Sequence, residues 1–198
     1  MAPTFIETFR IENGDCPLLT RHIERIRRTL AAHALEDSVS PFLASQVFPA
    51  FASCIKGRMV YSEEVHSLEY TVYAPREIRS LRLMEAPHIT YPHKSTDRSP
   101  LSALLQRRDG ADDILITRNG YITDTSFSNV VLTRGDELHT PSTYLLAGTR
   151  RAQLLAEGKI LERQIHITDL ADYSHILLVN AMLDLGDMPP IPIQSLIF

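Results

Sequence analysis

Short alternating stretches that end in tight-turn dipeptides constrain the fold of this chain most. Residues 4–11 alternate apolar and polar side chains in the manner of a strand and stop at Asn13-Gly14. Two strands are expected over residues 113–133, around Asn119-Gly120. Asn-Gly readily takes the positive φ angles of a hairpin turn. The sequence therefore predicts a hairpin-rich sheet as a large part of the fold.

Helical patterns interrupt these strands. Thr20 is a plausible N-cap for a helix whose apolar residues keep helical spacing, with arginines on its other faces. Ser99-Pro100 has the N-cap and first-turn proline of a helix start, and Gly158 is placed as the glycine that follows a helix end. Helices are expected over residues 20–35, 41–53, 99–110 and 149–158.

The remaining pattern favours an α+β fold in two lobes. Lys56-Gly57 predicts a turn before strands near 58–64 and 66–74, and Ala74-Pro75-Arg76-Glu77 is the best linker candidate. A chain of 198 residues is long enough for two small cores that share an interface. We expect an N-terminal α+β lobe over residues 1–75 and a C-terminal lobe over 80–198 that carries Lys94.

Composition excludes several classes of protein. The 20 basic and 24 acidic side chains give no excess positive charge for nucleic acid. Cys16 and Cys54 lack the spacing of a disulfide framework or a zinc site, and no metal is expected. The chain has no leader-like N-terminus and no run near the roughly 18 apolar residues of a membrane span. A cytoplasmic protein without membrane partners is expected.

Lysine is scarce, which limits the candidates for imine chemistry. Lys56, Lys94 and Lys159 are the lysines of the chain, and every other basic side chain is an arginine. Lys56 precedes a glycine and Lys159 follows the helix-ending Gly158, so both resemble surface positions. Lys94 lies between an apolar segment and the helix start at Ser99. A coding bias toward arginine would also reduce the number of lysines. This pattern alone therefore leaves open whether Lys94 is functional or is simply one of the few lysines that such a bias leaves.

Two further segments carry polar groups between apolar strands. The run from Gly120 to Asn129 contains Asp124. One interpretation of this run is a turn with Asx hydrogen bonds. The other is that Asp124 faces a protonated heteroaromatic nitrogen, whose buried charge needs a carboxylate. The segment Leu146–Arg151 opens a helix with a glycine and free amides, which suit phosphate, although every helix has such an end.

In order and spacing, these features resemble the class IV aminotransferases, the fold type IV enzymes that use pyridoxal 5'-phosphate (PLP). The resemblance covers nearly the whole chain and is greatest to short members similar to aminodeoxychorismate lyases. It implies a two-lobed fold like that of D-amino acid aminotransferase, with a C-terminal pseudo-barrel lobe. The matching segments are Phe5–Arg10, His22–Arg25, Lys94 with Asp97-Arg98, Asp124–Asn129, Leu146–Arg151 and Val179–Ala181.

The resemblance assigns a role to each matching residue. Lys94 would hold PLP as a Schiff base and act as the general acid and base, and Asp124 would keep the pyridine nitrogen protonated. Arg25 would pair with the phosphate, whereas His22 is interpreted as a helix-packing residue. The other expected contacts are Leu146 on a ring face, Gly148, Thr149 and Arg150 at the phosphate, Asn129 as a brace for Asp124, and Arg98 and Asn180 as substrate or support residues.

The implied reaction is the conversion of aminodeoxychorismate to pyruvate and 4-aminobenzoate for folate synthesis. A branched-chain or D-amino acid transaminase would need the same lysine, acid and phosphate site, and a non-catalytic PLP-binding protein is a third alternative. The chain begins at the Phe5 strand and has Gly57–Glu64 where many relatives carry a glycine- and arginine-rich loop near the substrate carboxylate. The expected partners are a small-molecule amine and a second copy of the chain in a homodimer.

Overall fold

A computed structural model describes residues 3–198 of the chain, and these divide into two compact units. The first unit contains the chain up to Ala74 together with the short segment His93–Asp97. The second unit contains Pro75–Pro92 and Arg98–Phe198. None of the helices within the described residues is both long and apolar enough to cross a membrane.

The first unit is an antiparallel sheet covered by helices. Its strands pair in the order β1-β2-β3, and the apolar side of the sheet packs against the buried face of the first helix, which includes Ile26 and Leu30. The elements are β1 (Phe5–Ile11), α1 (Leu19–Ala32), α2 (Val39–Ala44), β2 (Ile55–Tyr61) and β3 (Val65–Val72).

Two expectations for this unit were wrong in detail. Gly57 does not form a turn, because it lies inside β2 opposite Phe9, whose ring occupies the space a side chain would need. A Cβ on residue 57 would lie 2.1 Å from Phe9 Cε2. The helix expected over 41–53 ends at Ala44, and Pro49 further on lacks the N–H that a continuing helix would use.

The second unit is built on a larger mixed sheet. The strands pair in the order β11-β10-β7-β6-β5-β4-β12, and β8 extends from β7 to β9. Its elements are β4 (Leu81–Glu85), α3 (Ser99–Gln106), β5 (Asp113–Arg118), β6 (Tyr121–Thr125), β7 (Asn129–Arg134), β8 (Glu137–Pro141), α4 (Thr149–Ala156), β9 (Leu161–Arg163), β10 (His175–Val179), β11 (Ile191–Pro192) and β12 (Leu196–Ile197).

Hairpins give this sheet its form, as the turn signals predict. Asn119 and Gly120 both have positive φ angles between β5 and β6. The region 113–133 nevertheless contains a further strand, because the chain turns again after Thr125 and returns as β7. Residues such as Leu115, Ile122 and Val130 are wholly buried in the core of this unit. The acidic residue Asp124 lies at the end of β6, just before this turn, and pairs with Asn129 at the start of β7.

The lysine segment belongs to the first unit, although we expected Lys94 in the second lobe. Ile6 N donates to Lys94 O at 2.8 Å, and Thr96 N donates to Thr4 O at 3.0 Å. Phe5 and Ser95 form an antiparallel bridge. These main-chain bonds add the segment to the edge of β1, and such pairing between residues far apart in sequence leaves no local signal.

Candidate active site

Lys94 is held at a defined place by its backbone. Its carbonyl oxygen accepts from Ile6 N, so its Cα lies beside the residue that precedes Glu7 on β1. Its side chain is half-buried, in contrast to the exposed Lys159, which pairs with Glu157 at 2.8 Å. The lysine predicted to carry the chemistry is therefore the one whose main chain is tied into the sheet of the first unit.

A buried ion pair lies on the same strand. Arg25 Nε donates to Glu7 Oε1 at 2.7 Å, and Arg25 Nη2 donates to Glu7 Oε2 at 2.6 Å. Burial opposes ionisation of Glu7, but Arg25 and His22 outweigh it and lower the pKa of Glu7 to about 2. The ionised carboxylate therefore matches the charge of Arg25 and fixes the plane of its guanidinium.

His22 completes this group, which we name the Glu7 triad (Glu7, His22 and Arg25). Its Nδ1 lies 2.6 Å from Glu7 Oε2, and an ionised carboxylate can only accept, so the proton is on Nδ1. Burial lowers the pKa of His22; Glu7 opposes this effect, and the positive charges of Arg25 and Lys94 add to it. Lys94 therefore contributes to the charge around His22, and Lys94 and Arg25 both belong to the first unit.

Asp124 lies in a polar nest at the end of β6 in the second unit. Leu145 N and Leu146 N each donate to Asp124 Oδ2 at 2.9 Å, and Asn129 Nδ2 donates to Asp124 Oδ1 at 2.8 Å. Burial nevertheless dominates and raises the pKa of Asp124 to about 6. A carboxylate in this state would be stabilised by a cation brought against it, because a positive charge within a few ångströms favours ionisation.

Asn129 connects Asp124 to the loop before α4, and Gly148 makes room for it. The same Asn129 amide that bonds Asp124 also donates to Leu146 O at 2.9 Å. Gly148 packs directly on Asn129, and a Cβ on residue 148 would lie 1.9 Å from Asn129 Oδ1. The glycine thus lets the loop before α4 close onto the residues that hold Asp124.

The N-terminus of α4 has the features of an anion site. Gly148 is its N-cap in an extended conformation, and the helix begins at Thr149. Thr149 Oγ1 is buried and has no hydrogen-bond partner among residues 3–198. The Arg150 guanidinium is directed elsewhere, with Nη1 at 2.8 Å from Asp184 Oδ2. Arg150 would therefore contribute its backbone N–H to an anion, whereas Thr149 offers both hydroxyl and amide.

Arg98 and Asn180 support the turn that follows Asp124. Arg98 Nη2 donates to Ser126 O at 2.5 Å, and Asn180 Nδ2 donates to Ser128 Oγ at 2.9 Å. Asn180 Oδ1 in turn accepts from Met182 N at 2.8 Å. Both side chains therefore have structural partners within the second unit.

The sequence interpretation missed the roles of Glu7 and His22. Glu7 lies between Phe5 and Phe9 in an alternating strand, so an acid stands on the face that otherwise carries apolar rings. That position is the signal that could have identified it, because a charged group on a buried face needs a partner of opposite charge. Within residues 3–198, no group of three or more His, Cys, Asp or Glu side chains is placed to hold a metal.

The chain is similar to known proteins over most of its length. The profile of the family described as amino-transferase class IV matches residues 4–189. A protein of Haemophilus influenzae, described only as uncharacterized, is 34% identical over 92% of this chain and 98% of its own length. A structure from Haemophilus somnus, described as a candidate 4-amino-4-deoxychorismate lyase, is 31% identical, with a TM-score of 0.84 over 91% of this chain and 96% of that one.

A more distant structure shares the fold. The PLP-bound form of a hypothetical aminotransferase from Mycobacterium tuberculosis is 20% identical, with a TM-score of 0.75 over 98% of this chain and 81% of that chain. The family match and the fold together identify a mixed α/β enzyme of the PLP-dependent type. The chain belongs to the class IV aminotransferase family, which confirms the family, the fold class and the cofactor expected from the sequence.

The residues of the chain fit PLP. Asp124 is a buried carboxylate with a raised pKa that a cationic ring nitrogen would stabilise. Thr149 supplies an unpartnered buried hydroxyl at a helix N-terminus, where a phosphate is favoured. Because Gly148 has no side chain, the loop that contains Leu146 can lie close enough to Asn129 for Leu146 O to accept its hydrogen bond. An acid and an anion cradle thus lie in one unit, and a lysine and an arginine lie in the other.

Proposed function

We propose that this chain is a PLP-dependent lyase that converts 4-amino-4-deoxychorismate to 4-aminobenzoate and pyruvate, a step toward folate. The main support for the cofactor is the buried Asp124 carboxylate. A protonated pyridine nitrogen beside it would supply the positive charge that favours its ionised form. The likeness to the Haemophilus somnus protein, described as a candidate lyase of this kind, supports the choice of reaction.

Most of the predicted residues have a part in this proposal. Lys94 holds PLP covalently and moves the substrate proton, and Asp124 bonds the ring nitrogen. Arg25 and the amides at the start of α4 bind the phosphate, joined by the Thr149 hydroxyl. Leu146 packs on one face of the ring. Asn129 keeps Asp124 oriented through the bonds described above.

The reaction needs one proton transfer and one bond cleavage. PLP, when bound, withdraws electrons from the carbon that carries the substrate amino group. Lys94 takes the proton from that carbon, C4, and the bond between the ring and the enolpyruvyl oxygen breaks. The proton returns to the leaving enolpyruvyl group, which becomes pyruvate, and the ring becomes aromatic. Atoms balance without an oxidant, and aromatisation makes the step effectively irreversible.

An amino-acid transaminase is the second candidate, and the family description itself favours it. It would use Lys94 and Asp124 in the same way, since proton transfer at the amine-bearing carbon is common to both reactions. The products differ. A transaminase leaves the cofactor as pyridoxamine phosphate and releases a keto acid, whereas the lyase releases pyruvate and 4-aminobenzoate in equal amounts.

The first experiment tests the cofactor. Purified protein is expected to be yellow, and borohydride reduction should attach PLP to the peptide that contains Lys94, as read by mass spectrometry. Lys94→Ala should be colourless. Lys159→Ala is the matched control, because that lysine is exposed and pairs with Glu157. Attachment of PLP to the Lys159 peptide, or a yellow Lys94→Ala protein, would contradict the assignment.

The second experiment identifies the reaction. The yellow protein is incubated with 4-amino-4-deoxychorismate and, separately, with branched-chain and D-amino acids plus a keto acid. Equal amounts of pyruvate and 4-aminobenzoate support the lyase. New amino acid with pyridoxamine phosphate supports the transaminase. A yellow protein that turns over none of them corresponds to the third alternative, a PLP-binding protein without catalysis. A homodimer is part of the proposal, and sedimentation of the purified protein tests it.

A further inference from the structure

Arg151 closes the loop that lies between β8 and α4, residues 142–148. Its side chain starts in the first turn of α4, is buried, and reaches back to the end of β8. Arg151 Nε donates to Thr140 Oγ1 at 3.2 Å, and Arg151 Nη2 donates to Pro141 O at 2.9 Å. The same Nη2 pairs with Glu162 on β9. One side chain thus joins the strand before the loop to the helix after it.

The guanidinium of Arg151 also contacts the middle of the loop. Its central carbon lies 4.2 Å from the centroid of the Tyr144 ring, within the range of a cation–π interaction. Tyr144 directly precedes Leu145 and Leu146, whose backbone N–H groups we name the amide pair. Both members of the amide pair donate to Asp124 Oδ2 at 2.9 Å. Arg151 therefore contacts the residue beside the groups that hold the Asp124 carboxylate.

Other bonds fix the start of the loop but do not reach Tyr144. Ser142 N donates to Arg163 O at 2.8 Å, and Thr143 Oγ1 donates to Ile122 O at 2.5 Å. Tyr144 itself is half-buried and has no side-chain hydrogen bond to any residue within 3–198. The contact with Arg151 is thus the polar restraint on the segment that leads into the amide pair.

We propose that Arg151 is a positioning residue for Asp124. By holding the loop at Pro141 and Tyr144, it directs the amide pair at that carboxylate. The inference rests on the proposed role of Asp124 at the cofactor and adds a residue to it. Arginine suits this position because a planar guanidinium can donate hydrogen bonds in its plane while its face packs on an aromatic ring.

A purely electrostatic role for Arg151 is the alternative. Burial raises the pKa of Asp124, and the amide pair, Asn129 and the positive charge of Arg151 oppose this effect. Arg151→Lys distinguishes the two roles. It keeps the positive charge, but an ammonium group cannot bond Pro141 O in the fork geometry and stack on the Tyr144 ring at the same time.

The test measures hydrogen exchange of the amide pair by NMR in the full-length protein after any bound cofactor has been removed. Arg151→Met removes the guanidinium and keeps an unbranched apolar chain. The reference amide is Ser80 N, which donates to another carboxylate of the same unit, Asp112 Oδ2, at 3.1 Å. The control variant is Arg134→Met, the same substitution at an exposed arginine that pairs with Asp172 at 3.2 Å.

We expect the amide pair to exchange about tenfold faster in Arg151→Met than in the wild type, as for the loss of one hydrogen bond. Ser80 N should be unchanged, and Arg134→Met should resemble the wild type. In Arg151→Lys the amide pair should remain at least about threefold faster than in the wild type. Equal rates in wild type and Arg151→Met overturn the proposal. So does an increase that Ser80 N shares, which indicates general loosening, or full recovery in Arg151→Lys, which indicates charge alone.

Tyr144→Leu tests the proposal without removing the buried arginine. The substitution takes away the ring and leaves the Arg151 bonds to Thr140 and Pro141 in place. We expect the amide pair to exchange about threefold faster, since a cation–π contact is weaker than a charged hydrogen bond. An unchanged rate overturns the role of the loop contact.

Binding measurements relate the result to the cofactor. Arg151→Met should weaken PLP and pyridoxal by the same factor, because Asp124 is assigned to the ring and not to the phosphate. Weakening of PLP alone would overturn the inference and assign Arg151 to the phosphate site of α4. A protein that binds no PLP but gives the expected exchange rates would refute the proposed function and leave this inference standing. A protein that binds PLP with unchanged exchange rates in Arg151→Met would do the reverse.

Discussion

Gly148 and Asn129 are in such close contact that a methyl group on residue 148 would overlap the Asn129 side-chain oxygen, at 1.9 Å. Asn129 also holds Asp124 at 2.8 Å and Leu146 O at 2.9 Å. The backbone of Gly148 has φ −69° and ψ 142°, which any residue adopts. The glycine is therefore required for space and not for an unusual conformation.

Gly148→Ala should displace Asn129 and weaken the nest around Asp124. We expect a loss of about 1–3 kcal/mol in the free energy of unfolding, because overpacking forces side chains and backbone to shift. We also expect weaker binding of PLP, measured by the absorbance of the bound cofactor. Gly110→Ala is the control, because it has open space around residue 110 but a positive φ angle. Loss of stability in both with unchanged PLP binding in Gly148→Ala would contradict the argument.

Local sequence signals predicted the elements that depend on local geometry. Gly158, with φ +66°, follows the end of α4 as expected. The Asn119-Gly120 turn is likewise set by two adjacent residues with positive φ angles. In each case the residue type at one position decides the backbone conformation there.

Contacts between distant residues were outside the reach of those signals. Gly57 was interpreted as a turn because glycine is common in turns, but the ring of Phe9 on the neighbouring strand is what requires it. The addition of Lys94 to the edge of β1 depends on the Ile6–Lys94 main-chain bond and has no pattern of its own. The Glu7 triad likewise joins a strand and a helix, so its members are recognised only once the fold brings them together.

Asp124 should make the stability of the cofactor-free protein depend on pH. Its pKa is raised from 3.8 to about 6 by burial, so the folded state binds a proton more tightly than the unfolded state. Stability from this group is therefore present below pH 4 and is lost as the pH rises through 6. We expect the free energy of unfolding to fall by about 3 kcal/mol across that window relative to Asp124→Asn, which has no such titration.

Chemical denaturation of the two proteins at a series of pH values checks this expectation. The difference between wild type and variant isolates Asp124 from the other titrating groups. Parallel stability curves from pH 3 to pH 7 would show that the folded and unfolded carboxyl groups titrate alike. Saturation with PLP should reduce the difference, because a cation opposite the carboxylate lowers the pKa of Asp124.

Glu7→Gln should destabilise the first unit strongly. The substitution leaves the buried Arg25 guanidinium without its charge partner, and breaking a buried pair in this way costs about 3–5 kcal/mol. Glu24→Gln is the control. Glu24 pairs with Arg21 on the exposed side of α1, the helix that carries Arg25, so this substitution should have little effect on stability. Urea denaturation measures both. Equal stabilities of the two variants would show that the buried pair has no net value.

Glu7 should also make the free energy of unfolding depend on pH in the acid range. Glu7 has its pKa lowered from 4.5 to about 2, so the stabilisation it supplies is complete above pH 4.5 and is lost as the pH falls toward 2. Glu7→Gln cannot titrate, and its stability relative to the wild type should therefore improve at the acid end of the range. A constant difference between pH 6 and pH 2 would contradict the lowered pKa.

Thr149→Val should weaken the binding of PLP through its phosphate and leave the binding of the rest of the cofactor unchanged. Thr149 Oγ1 is buried at the start of α4 with no partner within the described residues, so a phosphate oxygen is the acceptor that would satisfy it. Valine keeps the volume and removes the hydroxyl, and the loss of one hydrogen bond to a charged group weakens binding about tenfold. Thr20→Val, an exposed change on another helix, is the control. Pyridoxal lacks the phosphate, so its affinity should be unchanged. Equal weakening for PLP and pyridoxal would place the hydroxyl away from the phosphate and assign the anion to the amides of α4 and to Arg25 alone.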